Sequence, residues 1–334
     1  MEGNNKVISY LVKEIVTSNI LQLPCSLFHG QMGICIALYY ISEYLQDESV
    51  GNSAEIILDS ISQTLQRKRD AFEIGFEHGY TGIASGTLLL ASRGFILIDN
   101  DYLDFLDEKI LSFILSNERS FLSNDLSVIL GLWVYLIIRI SFEKGKYRDL
   151  IEDSLKTVIN SVDFNNEQTS YSTMLYEPIK EDPLHFYLPS FLILLGKTYS
   201  LGVHRVKIER IIERLNYLLR RVRPQYPLSD FYLRYSLEFF EQKIGYHGWK
   251  DYLSTLRSND LGLLNEFSNK IYINNGLSGL ILFSKLCGID IDSMVKAELM
   301  QHITALYKEQ HELAYLRNFS LYRGIPGILL AVSL

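Results

Sequence analysis

Two histidines in this chain, His29 and His78, each stand directly before a glycine that is followed by a second glycine three residues later. Imidazole binds transition metals and titrates near neutral pH, so these histidines are candidates for metal binding or acid–base chemistry. Two imidazoles and one carboxylate form a metal-binding set, and Asp125 is the carboxylate that we expect beside them. The alternative is that the imidazoles hydrogen-bond neighbouring loop carbonyls and only hold the loops in place. The sequence alone leaves both possibilities open.

A Gly-x-x-Gly motif that opens an apolar helix pattern occurs four times. The copies read HGQMGICIALYYI, HGYTGIASG, NNGLSGLILF and RGIPGILLA. Gly30 and Gly79 are 49 residues apart, and Gly276 and Gly324 are 48 residues apart. A fixed period of this size indicates a repeat architecture. Glycine inside a helix costs about 1 kcal/mol relative to alanine, so we expect a close backbone approach or a sharp turn at each motif.

The rest of the chain accommodates three weaker copies of the same unit. They lie near residues 125–138, 184–200 and 226–241, and more amphipathic segments alternate with the apolar ones, for example at 53–70, 147–162 and 291–310. The apolar helices are expected inside and the amphipathic helices outside, facing solvent. Seven inner and seven outer helices predict an all-α fold, an α/α toroid, formed by a single domain over residues 1–334. An open superhelix of helix pairs is the alternative.

In a closed ring of this kind, the N-termini of the inner helices meet at one end, which we call the mouth. Free N–H groups and positive helix-dipole ends point there. The residues just before each glycine motif are therefore expected to line a cavity. The candidates for catalysis are Asp125, His29, His78 and His185. The candidates for the lining of this cavity are Glu77, Phe186, Tyr187, Asn274, Asn275 and Arg323.

The composition excludes several classes of protein. The net charge of −7 is spread without long runs of one sign, which argues against a nucleic-acid-binding protein. No segment has the 18 or so unbroken apolar residues of a membrane span, and the acidic N-terminus does not read as a signal peptide. Three cysteines form neither a disulfide framework nor a metal-binding pair. These features predict a reducing, cytoplasmic setting.

The four glycine motifs resemble those of the lanthionine synthetase C family, the LanC-like cyclases, over nearly the whole chain. That family is a seven-fold α/α toroid with a zinc ion at its mouth. The resemblance implies a cyclase that acts on ribosomally made peptides, in which zinc activates cysteine thiols for addition to dehydrated serine or threonine. The family's zinc ligands are a cysteine in a Trp-Cys-x-Gly motif of the fifth unit and a Cys-His pair in the Cys-His-Gly motif of the sixth.

The counterparts of these ligands are missing from this sequence. Asn274 and Asn275 occupy the place of the Cys-His pair, and the fifth unit, SDFYLRYS, contains no cysteine. Amide side chains do not replace thiolate and imidazole as zinc ligands. The histidine that the family has in its fourth unit aligns with Phe186, so His185 is displaced by one residue, and only Asp125 keeps a family-like place. We therefore expect no bound zinc and no other cofactor.

Two functions remain open from the sequence. The first is a pseudoenzyme in the biosynthesis of lanthipeptide-like ribosomal peptides, which binds a precursor peptide or a peptide-modifying enzyme. The second is an active peptide- or glycan-modifying enzyme with a relocated acid–base or metal site at the toroid mouth. A purely structural interaction module differs from the first only in its partner. None of these functions involves nucleic acid or a membrane span.

Overall fold

The computed structural model describes residues 2–67, 72–117, 126–142, 147–162, 187–219, 227–254, 256, 270–274, 276–289, 292–308 and 318–334. Within these ranges the chain forms fourteen α-helices and no strand. The predicted all-α class is therefore confirmed. The helices are α1 (Glu2–Val16), α2 (Gln31–Leu45), α3 (Glu48–Arg67), α4 (Tyr80–Ser92), α5 (Asn100–Asn117), α6 (Leu126–Phe142), α7 (Arg148–Ser161), α8 (Tyr187–Ser200), α9 (Arg205–Leu219), α10 (Pro227–Ile244), α11 (Lys250–Leu253), α12 (Leu277–Cys287), α13 (Asp292–Lys308) and α14 (Ile325–Ser333).

The chain divides into two compact units, Met1–Asp99 with Leu264–Leu334, and Asn100–Leu263. In the first unit, the four helices that follow a glycine motif pack side by side in the order α4, α2, α14, α12. The last helix of the chain thus packs against the first of the glycine-led helices. The single domain that the sequence predicts over residues 1–334 stays a prediction.

The inner and outer helices of the first unit differ in how they are buried. Every residue of α2 from Gln31 to Ile41 is buried, as is every residue of α14 from Ile325 to Val332. By contrast, α3 packs on α2 through one face only. The buried residues of α3 recur every three or four positions, at Val50, Ala54, Ile57, Ile61 and Leu65. The two outer helices predicted at 53–70 and 291–310 are confirmed as α3 and α13.

The second unit contains the three weaker copies of the repeat. They form α6, α8 and α10, which pack in that order, and α7, predicted at 147–162, packs on α6. The helix predictions for these segments are therefore confirmed. None of the helices in the described part of the chain is long and apolar enough to cross a bilayer.

A buried ionic cluster joins two helices of the second unit. Asp107 of α5 accepts hydrogen bonds from Arg139 of α6, through Nε at 3.0 Å and through a terminal guanidinium nitrogen at 2.9 Å. The hydroxyl of Tyr135 donates to the same carboxylate. Asp107 and Arg139 are only 1% and 3% exposed, so each charge depends on its partner.

Candidate functional site

The four glycine motifs of the first unit share one loop conformation. Each loop spans the seven residues that end at the first glycine: 24–30, 73–79, 270–276 and 318–324, of which residue 275 is not described. In every loop, the N–H that follows the glycine donates to the carbonyl that opens the loop. These bonds run from Gln31 to Pro24 (2.8 Å), Tyr80 to Glu73 (2.8 Å), Leu277 to Lys270 (2.9 Å) and Ile325 to Asn318 (3.0 Å). The loop is thereby folded back onto the start of its helix.

The close approach that this fold-back requires explains the glycines. At Gly79 the backbone is extended, with φ −117°, so no unusual dihedral angle demands glycine. A Cβ there would, however, lie 2.1 Å from the carbonyl oxygen of Glu73. The corresponding distances at the other three first glycines are 1.9 Å at Gly30, 2.2 Å at Gly276 and 1.9 Å at Gly324. The predicted close backbone approach is therefore confirmed.

Backbone hydrogen bonds join the four loops into one strip, which we call the glycine-loop face. The N–H of Phe28 donates to the Glu77 carbonyl at 3.2 Å, and the N–H of Leu321 donates to the Phe28 carbonyl at 2.8 Å. The N–H of Asn274 donates to the Tyr322 carbonyl at 3.3 Å. Each loop is thus tied to its neighbour in the order in which their helices pack.

His29 and His78 meet on this face. Their rings stack with centroids 5.2 Å apart and an angle of 24° between the ring planes. Nε2 of His78 is 3.7 Å from Oε2 of Glu77, and these two side chains are 57% and 41% exposed. One donor atom from each of His29, Glu77 and His78 lies within 4.8 Å of the others, and no second group of this kind occurs among the described residues.

The side chain of Ser320 holds His29. Its Oγ is 3.1 Å from Nδ1 of the imidazole and 2.9 Å from the carbonyl oxygen of Phe28. The same oxygen accepts the N–H groups of Tyr322 and Arg323 at 3.1 and 3.2 Å. Ser320 therefore links the imidazole to the backbone of two loops.

Partial burial is the main cause of a lowered pKa at His29, and the neighbouring His78 lowers it further. Glu77 opposes this effect, and the guanidinium of Arg323 adds to it. The lowered pKa favours the neutral imidazole of His29 over the protonated form.

The structure brings part of the predicted site together. Glu77, His29, His78 and Arg323 all lie on the glycine-loop face, and Arg323 is exposed. Asn274 is only 4% exposed, and within the described part of the chain its Oδ1 accepts no hydrogen bond. Tyr187 begins α8 in the second unit. The predicted site residues Asp125, His185, Phe186 and Asn275 lie outside the described residues.

Two residues of the cluster add to the sequence-based expectation. Asp125, the carboxylate expected beside the histidines, lies outside the described residues, and among the described residues Glu77 is the carboxylate of the cluster. Glu77 directly precedes His78, and the loop-to-loop bond from Phe28 brings it next to His29. Ser320 was missed, although Ser26 stands at the same position of the first loop. The alternative from the sequence was that the imidazoles hydrogen-bond loop carbonyls. His29 instead contacts the hydroxyl of Ser320.

Comparison with known proteins defines the class of fold first. The chain is similar in structure to nisin cyclase, with a TM-score of 0.55 and 16% sequence identity, over 99% of this chain and 93% of that chain. Nisin cyclase is an α/α toroid, and the predicted fold class is confirmed.

The family follows from the sequence. The family described as Lanthionine synthetase C-like protein matches residues 21–188, which is half of the chain. The chain belongs to this family. No curated protein sequence matches it.

Proposed function

We propose that this chain is a LanC-like protein that has lost the family's zinc site and binds a precursor peptide, or an enzyme that modifies one, during the maturation of ribosomally made peptides. The observation that carries the proposal is Asn274. It stands where the family has a zinc-binding cysteine, and it is a buried amide that the backbone ties to the neighbouring loop. The loop is thus held in place by its backbone, although asparagine stands where the resemblance places a cysteine.

The cysteine that the family has in its fifth unit is missing as well. The first turn of α10, which corresponds to the fifth unit, carries Ser229 and Asp230 instead of a cysteine. The thiolate ligands of the family's zinc site therefore have no counterpart at these described positions. The three cysteines of the chain are buried elsewhere, on the loop before α2, within α2 and at the end of α12: Cys25, Cys35 and Cys287. Burial raises the pKa of the Cys35 thiol, which disfavours the thiolate.

The glycine-loop face offers the groups that peptide binding needs. The half-buried rings of Phe28 and Phe76 pack with centroids 5.9 Å apart, and Phe28 stacks at 5.4 Å on the buried ring of Tyr322, which completes an aromatic row. Glu77 and Arg323 provide one charge of each sign beside this row. Aromatic rings flanked by polar groups suit the mixed chemistry of a peptide. Nisin cyclase acts on a peptide, and the shared family supports the same class of ligand here.

Peptide binding is tested by selection from a random dodecapeptide library displayed on phage. The enriched sequences are then synthesised with a fluorophore and measured by anisotropy against the wild type and Arg323→Glu. We expect Arg323→Glu to bind at least about tenfold more weakly, since a hydrogen bond to a charged group contributes about 1.5–3 kcal/mol. Arg210→Glu, an exposed charge reversal on α9, is the matched control and should bind like the wild type. If nothing is enriched, or if the enriched peptides bind all three proteins equally, the proposed peptide binding at this face is wrong.

One observation favours a second function, an active enzyme with a relocated site. Two imidazoles and a carboxylate with donor atoms within 4.8 Å of one another are suited to proton transfer, and the lowered pKa of His29 favours its neutral form. This function requires that a selected peptide change in mass or in chromatographic retention on incubation with the wild type. It also requires that Glu77→Gln abolish the change. A peptide that binds but is recovered unaltered favours the pseudoenzyme.

A further inference from the structure

We infer that His29, Glu77 and His78 form a binding site for one divalent transition-metal ion, at a place different from the family's zinc site. The sequence left metal binding by these histidines open, and the geometry of this cluster favours it. The inference does not depend on peptide binding, because it concerns only the three side chains and the loops that hold them.

The donor atoms are already near the spacing that a metal requires. Two donors at about 2.1 Å from one tetrahedral zinc ion are about 3.4 Å apart. Nε2 of His78 and Oε2 of Glu77 are 3.7 Å apart, and one donor atom from each of the three residues lies within 4.8 Å of the other two. To bind one ion, the His78 ring must turn out of its stack with His29, and Glu77 and His78 have room to rotate because they are 41% and 57% exposed.

The backbone presets the positions of the ligands. Glu77 and His78 belong to one loop and His29 to the next, and the bond from the Phe28 N–H to the Glu77 carbonyl joins these loops directly beside the ligands. Gly30 and Gly79, which follow the two histidines, cannot accept a Cβ without breaking this arrangement. The metal would therefore bind to a framework that exists without it.

His29 also has the outer support that metal-binding histidines usually have. A ligating imidazole typically donates its other ring N–H to a neighbouring oxygen, which fixes the ring. Here Oγ of Ser320 lies 3.1 Å from Nδ1. A metal bound to Nε2 would leave this hydrogen bond intact, so Ser320 acts as a positioning residue.

The types of donor indicate the class of metal. Two imidazoles and one carboxylate suit zinc, iron, cobalt or nickel, whereas calcium and magnesium prefer oxygen ligands alone. Three protein ligands leave at least one position open, as in catalytic zinc sites. The positive N-termini of α2 and α4 and the nearby Arg323 weaken binding of a cation, and Glu77 offsets part of this effect. The same positive groups favour an anion in the open position.

A second histidine–carboxylate pair provides the control. Nε2 of His302 is 3.0 Å from Oε1 of Glu298, one turn apart on α13, and this pair is closer than His78 and Glu77. It belongs to no group of three ligands within the described ranges. If a histidine beside a glutamate were enough for binding, both pairs would bind equally.

The test uses the full-length chain without an affinity tag, stripped with a chelator and exchanged into chelator-free buffer. Co²⁺ is titrated with detection by visible absorption, and Zn²⁺ is titrated by calorimetry. We expect one Co²⁺ per wild-type chain, with the intense bands of four- or five-coordinate cobalt. His78→Gln and Glu77→Gln should each weaken binding at least about a hundredfold, more than the loss of an outer-shell partner usually causes. The double variant Glu298→Gln/His302→Gln should bind like the wild type.

The inference fails if the wild type shows no saturable binding, or if His78→Gln and Glu77→Gln bind Co²⁺ as the wild type does. Circular dichroism of each variant confirms that the fold is kept, which the exposure of both side chains favours. Peptide binding measured with chelator present separates this outcome from the proposed function, since each can fail while the other holds.

Discussion

Replacing Gly79 by alanine should open the loop that carries Glu77 and His78. The new Cβ would lie 2.1 Å from the Glu73 oxygen, and real Cβ atoms keep at least 3.0 Å, so the two must separate by about 1 Å. That shift breaks the bond from the Tyr80 N–H to Glu73, now 2.8 Å. Tyr80 is buried, and a buried donor left without its acceptor costs about 1–3 kcal/mol.

Hydrogen exchange followed by mass spectrometry measures this opening directly. At the start of α4, around Tyr80, we expect exchange to speed up by about 5- to 150-fold, which is the exponential equivalent of 1–3 kcal/mol. Gly75→Ala is the matched control in the same loop, because a Cβ at Gly75 meets nothing within 4 Å. It should leave exchange unchanged within about twofold. Equal exchange in Gly79→Ala and Gly75→Ala would refute the explanation of the glycines by close approach.

Two further predictions concern buried groups. Asp107→Asn should lower the free energy of unfolding by about 3–5 kcal/mol, because it removes the carboxylate from a buried arginine. Asp153→Asn is the control: Asp153 pairs with Lys156 at 2.8 Å, but the aspartate is 70% exposed. This variant should lower the free energy of unfolding by less than about 1 kcal/mol. Urea unfolding measures both, and similar losses in the two variants would contradict this reasoning. The three cysteines should resist a thiol-reactive dye at pH 8 in the native protein and should all react in denaturant, because all three are buried. Burial also raises the pKa of the Cys35 thiol, so Cys35 forms less thiolate than an exposed cysteine. Prompt labelling of Cys35 in the native protein would contradict the buried position described for it.

The sequence was informative about the repeat because the glycines and the apolar period are local properties. A Cβ is excluded at Gly79 by a carbonyl only six residues away, so the motif itself carries the signal. The one-sided burial of α3 follows from its own periodicity in the same way. These elements could be predicted without knowing what lies beside them.

The sequence named His29, His78 and Glu77, but it could not name Ser320, because that contact joins distant parts of the chain. Ser320 is 291 residues from His29 and reaches it only because the last helix packs against α2. The backbone bond from Phe28 that brings Glu77 next to His29 is likewise not visible in the sequence. The pair of Asp107 and Arg139 could not be predicted for the same reason, because the sequence pattern of one helix does not show which residue of another helix it contacts.

The central claim is that a metal-binding site of this LanC-like chain lies at His29, Glu77 and His78 and not at the family's zinc position around Asn274. The most direct test is the zinc content, by elemental analysis, of protein saturated with Zn²⁺ and then dialysed without chelator. We predict about one zinc per chain in the wild type and in Asn274→Ala, and far less in His78→Gln. Zinc that is retained in His78→Gln but lost in Asn274→Ala, or a wild type that holds no more than His78→Gln, would contradict the claim.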